Sequence, residues 1–444
     1  MKFKSQKVAY WFFALSMLLL VLQLTYGFIM GFARMGFDGL HEIIPFNTAH
    51  TVHLNLLVVW LLSGFMGAAY FIIPEEAETE LWSVKLAYVQ LISLAVVGVV
   101  AVLGFHFNTW EGRKFLEIPR FLDWPVALNV ILFLVILLMT LIKGKKKTTT
   151  ALVLYGGLVA AALLYLPGMI TFDSQVLDSF FRWWVVHLWV EGVWELIMGG
   201  ILAFLLIKLT GVDREVVEKW LYVVIGLTFL SGVLGTGHHY YYIGVNKIWL
   251  IVGGIFSALE PLAFLGMAIW AMVMFQKGEK KHPNKLAMFW TVGSAVVSFL
   301  GAGVLGLAHT LPQTNLYTHG TLATASHGHL AFWGAYAMIV LALISYAMPN
   351  LTGRKIYKKP TGQAAFWLSN VGMFSMTGAF AVAGVAQVYL ERVYKEEFMQ
   401  VQNELQVHFF VLVLGATVLT TGLLLFIIDF IKYGLPSDEA LEQG

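Results

Sequence analysis

The chain has 444 residues, 59% of them hydrophobic and 12% charged, with a formal net charge of +2. So apolar a composition excludes a soluble globular protein of this length, and the near-neutral charge speaks against a nucleic-acid partner. Cysteine is absent, which excludes disulfides, thiolate metal sites and a CxxCH heme attachment.

The N-terminal stretch "MKFKSQKVAYWFFALSMLLLVLQLTYGFIM" carries an apolar run too long for a signal-peptide core and no small-x-small cleavage site. It reads as a retained first membrane span. Stretches of spanning length recur near 50–73, 82–105, 124–142, 150–168, 180–207, 216–238, 246–276, 286–309, 320–347, 363–390 and 404–431. The expectation is an all-α membrane protein with twelve transmembrane helices, forming a single membrane domain over residues 1–444, without repeat or linker. Lys2, Lys4 and Lys7 precede span one, "KGKKK" (143–147) follows span four, "KGEKKHPNK" (277–285) span eight and "GRKIYKK" (353–359) span ten. All fall on one side of the bundle, so both termini are expected in the cytoplasm. The acidic loop "PEEAETE" (74–80) falls on that side too, where acidic residues weigh little.

On this map six histidines from four helices gather at one depth, toward the outer face. His53 lies near the outer start of span two and His187 in the outer part of span six. His238 and His239 close span seven, and His327 and His329 open span ten. A lone intramembrane histidine commonly serves a helix–helix hydrogen bond, which suits His106 and His408. His41, His50, His282 and His319 read as solvated loop or interface residues, and His309 as structural. For the six together, coordination is the stronger reading, because an ionisable group inside a bilayer costs roughly 2.5–3.5 kcal/mol.

Their spacing sorts them. His327 and His329 are two apart, about 200° around a helix, and would face two flat cofactors on opposite sides. His238 and His239, adjacent at a helix end, can reach one small ion. In "WWVVHLWVEGVWELIMGG" (183–200), His187, Glu191 and Glu195 sit four residues apart, a stripe down one helix face. His187 with Glu191 then completes a set of three imidazoles and one carboxylate, with Glu195 a turn deeper. His53 remains as a second axial ligand. The count is two hemes, one six-coordinate and one five-coordinate, and a non-heme metal.

The segments "HLNLLVVWLLSGFMGAAYFIIPEE", "VVHLWVEGVWELIMG", "SGVLGTGHHYYYIGV", "FSALEPLAF" and "GAGVLGLAHTLPQTNLYTHGTLATASHGHLAF" resemble the catalytic subunit of bacterial respiratory nitric oxide reductases of the cytochrome c-dependent type. That family belongs to the heme-copper oxidase superfamily, and the resemblance runs from about residue 45 to 390. It implies that His53 and His329 hold a low-spin heme b and His327 a high-spin heme b. It implies that His187, His238, His239 and Glu191 hold the non-heme iron, with Glu195 and Glu260 as buried catalytic acids. Arg113, in the loop "EGRKFLE" (111–117), would pair with heme propionates, near Glu117 and Asp178; solvated loop charges are the plain alternative for all three. Oxygen-reducing relatives carry tyrosine and copper where this chain has Glu191, and a hard carboxylate favours iron. The implied reaction joins two NO into N2O and water with two electrons and two protons.

Two features mark the subtype. The soluble N-terminal extension of single-chain quinol relatives is not seen before span one, and without CxxCH the electrons are expected from a small membrane-anchored cytochrome c subunit. Lys114 departs from the family's usual glutamate, so calcium between propionates and donor subunit is expected to be absent or weakly held. The competing readings are an oxygen-reducing oxidase, opposed by Glu191, and a plain membrane cytochrome b, which needs neither the "HH" pair nor the carboxylate. A transporter is weaker still, for lack of broken helices.

Overall fold

The computed structural model describes residues 1–37, 39–40, 42–278, 282–354 and 360–438. His41 and parts of two expected basic clusters (Lys280, Lys281, Lys355, Lys358 and Lys359) lie outside the described residues. Among the described residues, twelve helices are long and apolar enough to span a bilayer: Lys4–Arg34, Phe46–Ala77, Val84–His106, Arg120–Lys143, Thr149–Gly168, Gln175–Thr210, Arg214–Tyr240, Ile248–Lys277, Lys285–Thr310, Leu322–Thr352, Pro360–Val393 and Gln406–Tyr433. They correspond one to one with the expected spans, with ends shifted by a few residues, some outward and some inward. The boundaries have local causes. Side-chain oxygens of Ser83, Thr148, Ser174, Asp213, Asn284 and Thr321 accept backbone N–H groups that begin helices. Gly211 and Gly353 stop spans six and ten in the left-handed conformation.

Burial orders the spans. In spans ten, six and two, 89%, 83% and 78% of the most apolar window is covered by other helices, against 17% in span three. These three central spans carry His53, His187, Glu191, His327 and His329, while His238, His239 and Glu260 stand on the less covered spans seven and eight. Below them, away from the histidines, an aromatic core of Phe65, Trp194, Phe332 and Tyr336 packs edge to face.

The described ends of the chain lie together on the face opposite the histidines. Lys7 pairs with Asp438 at 2.6 Å, and the N-terminal ammonium donates to Asn350 O. The expected acidic loop is part helix, since span two continues through Pro74 to Ala77. Glu75 and Glu76 are buried there, Glu75 against Lys208 and Glu76 against Arg214 at 2.6 Å. These carboxylates are not solvated: they fasten the end of span two to spans six and seven.

Span eight departs from the expected unbroken helix. It stops at Ser257 and restarts at Glu260, with Pro261 in the first turn of the second half. Proline has no N–H to give and clashes with the preceding turn, so the break falls where the sequence puts it. Spans eleven and twelve cross at van der Waals distance through glycine, where a Cβ on Gly372 would lie 2.1 Å from Leu419 N. Gly372→Val should therefore lower stability by about 1–3 kcal/mol or more. Gly378→Val, with no atom within 4 Å of the new Cβ, should not. Thermal unfolding in detergent checks this, and equal midpoints for the two variants would contradict the packing account.

Candidate metal centre

Two groups of potential ligand atoms share His187. Those of His187, His238 and His239 lie within 4.8 Å of one another, and so do those of His187, Glu191 and Glu260. Sequence spacing anticipated the first group and Glu191. It treated Glu260 as a nearby acid, whereas the break in span eight turns its carboxyl directly toward Glu191. A Cβ on Gly235 would lie 2.1 Å from Glu260 Oε1, so glycine there makes room for this carboxylate.

Hydrogen bonds fix which nitrogen of each ring is available. His187 Nε2–H donates to Gly232 O at 2.8 Å, leaving Nδ1 as the acceptor, 3.5 Å from Glu191 Oε2. Ser257 Oγ donates to Gly235 O and therefore accepts from His238 Nδ1–H at 2.8 Å, leaving His238 Nε2 free. His239 stacks flat on Trp183, with ring centroids 4.1 Å apart. His187 Nδ1, Glu191 Oε2 and Glu260 Oε1 are all buried without a hydrogen-bond partner. Each such atom costs about 1–3 kcal/mol, and a shared cation removes all three deficits at once. The donor set fits a divalent metal.

The expected stripe needs correction. Residues Trp189–Val193 form one wide π-turn, in which Glu191 has φ −115° and ψ 32°. The wider turn rotates the helix beyond it, so Glu195 leaves the line of His187 and Glu191. Glu195 instead accepts from Thr228 Oγ1 of span seven at 2.7 Å. The backbone of Glu191 fits against span seven only because Gly232 lacks a side chain: a Cβ there would lie 1.9 Å from Glu191 O. Thr228, Ser257 and Trp183 were invisible to sequence reasoning, since isolated polar or aromatic residues in apolar helices carry no periodic signal.

His53 and His329 approach from spans two and ten with ring centroids 6.3 Å apart. His53 Nδ1 bonds Gln23 O at 2.9 Å and His329 Nδ1 bonds Ala325 O at 2.8 Å, so both Nε2 atoms keep their lone pairs. His327 Nδ1 bonds Gly301 O at 3.0 Å, with the same result. Glycines face two of these rings, Gly27 toward His53 and Gly306 toward His327. Both ring nitrogens of His309 are held by Thr318 and Thr324, in keeping with a structural role. His106 bonds Tyr26 of span one, as expected, but His408 Nδ1 is buried without a partner, so no helix–helix bond through that atom forms.

The outer loop is ordered around Arg113. Its Nε pairs with Asp178 at 3.0 Å, its Nη1 donates to Gly168 O, and its Nη2 is buried without a partner. Glu117 is not a solvated loop acid: it is 3% exposed and accepts from Asn55 Nδ2, two residues from His53. Lys114 is exposed, its ammonium 5.6 Å from the Phe115 ring centroid.

Burial pushes the Glu117 carboxyl up to about 7, against the opposing hydrogen bonds from Asn55 and Phe115 N–H. A raised acid binds its proton more tightly folded than unfolded, so stability should fall as pH rises from about 4.3 through about 7, by up to about 1.4 kcal/mol per pH unit. In melting curves between pH 5 and pH 8, Glu117→Gln should flatten this decline. Parallel pH dependences for variant and parent would contradict the assignment.

Comparison with known proteins gives the family. The family profile of cytochrome c and quinol oxidase polypeptide I matches residues 7–418. A nitric oxide reductase subunit from Stutzerimonas stutzeri is 44% identical over 98% of this chain and 96% of its own length. A cytochrome c oxidase subunit 1 homolog of Agrobacterium tumefaciens (strain T37) is 20% identical over 84% of this chain and 72% of its own. Among solved structures, a heme-copper terminal oxidase dimer superposes with a TM-score of 0.74 at 16% identity, covering 97% of this chain and 84% of that one. With twelve spans, a histidine cluster among them and these relatives, the chain is a multi-pass membrane protein that belongs to the cytochrome c and quinol oxidase polypeptide I family, whose members carry hemes and a further metal centre.

Proposed function

We propose that the chain is the catalytic subunit of a nitric oxide reductase, converting two NO, two electrons and two protons into N2O and water. The observation that carries this reading is Glu191. A carboxylate oxygen, buried and unpartnered, stands 3.5 Å from His187 Nδ1 beside the other two histidines. A three-imidazole site takes copper readily, and an added hard oxygen donor shifts the preference to iron. His187, His238, His239 and Glu191 would hold that non-heme iron. His53 and His329 would hold a low-spin heme b, and His327 a high-spin heme b through its free Nε2. Bound there, the two irons supply electrons and Lewis-acid polarisation to a pair of NO molecules.

The chain's own residues then manage charge and protons. Ser257 and Gly232 hold two of the imidazoles in the tautomers whose free nitrogens face the centre. Glu195, held in place by its bond from Thr228, and Glu260, beside Glu191, are the carboxylates through which protons would reach the centre. Arg113 Nη2 is the free donor for a heme carboxylate, with Asp178 keeping the guanidinium in place. Lys114 cannot ligate a cation, so calcium is expected to be absent or weakly held there. Electrons arrive from a small membrane-anchored cytochrome c subunit over the histidine face.

Two tests follow. The purified protein should hold about three irons per chain, two of them heme, with negligible copper, and should release N2O from NO. Glu191→Ala should keep both heme spectra and weaken retention of the third iron by about 10-fold or more. One copper per chain in active enzyme would overturn the assignment.

Catalytic protons are inferred to come from the histidine face. The acids near the centre (Glu191, Glu195, Glu260) have Glu117 and Asp178 above them, while "LIMGGILAFLLI" (196–207) and "LAFWGAYAMIVLALISYAM" (330–348) below carry no ionisable group other than tyrosine. Turnover in proteoliposomes with an outside donor should therefore generate no membrane potential. A robust potential, positive outside, would sink this reading.

A further inference from the structure

Among the described residues, four spans contain a π-turn: Trp189–Val193 in span six, Phe299–Val304 in span nine, Trp333–Ala337 in span ten and Val388–Val393 in span eleven. In each, the last wide hydrogen bond runs to the carbonyl five residues back, at Trp189, Leu300, Trp333 and Tyr389 respectively. A wide turn leaves one carbonyl without its helical donor, and here it is always the next one along. Val190 O accepts from Tyr336 Oη, Gly301 O from His327 Nδ1, Gly334 O from Ser294 Oγ, and Leu390 O from Glu396 N.

The first three donors are side chains of neighbouring spans, and together they form a circuit. Tyr336, which bonds the π-turn of span six, sits inside the π-turn of span ten. That turn's own carbonyl is taken by Ser294 of span nine. The carbonyl of the span nine π-turn is taken in return by His327 of span ten. Glycines let these backbones close on each other: a Cβ on Gly334 would lie 2.4 Å from Ser298 N, and one on Gly301 would lie 2.4 Å from Leu330 C. No such Cβ could be accommodated without moving backbone.

We infer that Tyr336 is a positioning residue for the metal centre: its hydroxyl holds open the π-turn that aims Glu191 at His187, and the linked turns of spans nine and ten tie that aim to the placement of His327. The inference rests on the proposed reading of Glu191 and His327 as ligands. The geometry gives each partner a reason. Without the hydroxyl, Val190 O is a partly buried acceptor that has lost its donor, and the helix recovers one by closing the wide turn to an ordinary one. Closing it removes the extra residue before Glu191's successors and rotates the Glu191 carboxyl off the His187 Nδ1 direction. Tyr336 touches neither metal nor substrate in this scheme. It acts through the backbone of span six.

The test is Tyr336→Phe, which keeps the ring among Phe65, Trp194 and Phe332 and deletes only the hydroxyl. Tyr70→Phe is the control, an equally buried tyrosine whose hydroxyl bonds Gln90 at 3.3 Å, remote from the centre. Both proteins would be purified as the intact complex, and heme content, non-heme iron and the iron's spectroscopic signature measured. Tyr336→Phe should keep both hemes and hold the non-heme iron about 10-fold or more weakly, with an altered signature in whatever iron remains. Tyr70→Phe should match the parent in all three. Parent-like non-heme iron and signature in Tyr336→Phe would overturn the inference while leaving the reading of the centre intact. Equal loss of iron in Tyr70→Phe would overturn it as well, as a general packing effect. Absence of non-heme iron from the parent itself would instead remove the reading on which it rests.

Discussion

A carboxylate inside a bilayer-spanning helix must be matched by a proton, a cation or a set of donors, because no water is present to do so. That constraint organises this protein. At the termini face it is met by protein alone, with Glu75 against Lys208 and Glu76 against Arg214. At the histidine face it is not: Glu191 Oε2 and Glu260 Oε1 are buried without partners beside an equally unpartnered His187 Nδ1. The contrast between the two ends separates structural charge from charge that awaits a ligand.

Holding such groups in one place requires helices that do not relax. The central position of spans two, six and ten supplies rigidity, and local departures from regular helix supply direction. The π-turn swings Glu191 toward His187, the Pro261 break swings Glu260 toward Glu191, and glycines at 232 and 235 let both carboxyl-bearing segments approach span seven. The π-turn costs a helical hydrogen bond at Val190 O, which the Tyr336 hydroxyl of span ten replaces. Under the proposed reading, the metal supplies what the protein leaves unsatisfied.

Twelve spans were legible in the sequence because hydropathy over spanning length is a strong, long-range signal. The histidine cluster was legible because its members converge at one depth and few apolar helices carry imidazoles at all. The stripe of His187, Glu191 and Glu195 was only two-thirds legible, since it presumed a regular 3.6-residue period that the π-turn breaks. Nothing local announces that turn: its cause, the Tyr336 hydroxyl, lies 146 residues away on another span. For Glu117 and Asp178 a solvated loop position was as good a reading as one near the propionates, for a related reason. Their partners, Asn55 and Arg113, are ones that only the folded outer loop brings within reach.

The central claim is that a carboxylate converts a three-histidine site into an iron site. Anomalous scattering from crystals of the intact complex, recorded on either side of the iron and copper absorption edges, tests it most directly. The account predicts an iron signal bounded by His187, His238, His239 and Glu191, with no copper signal there. A copper signal at that position, with Glu191 turned away from the metal, would contradict it.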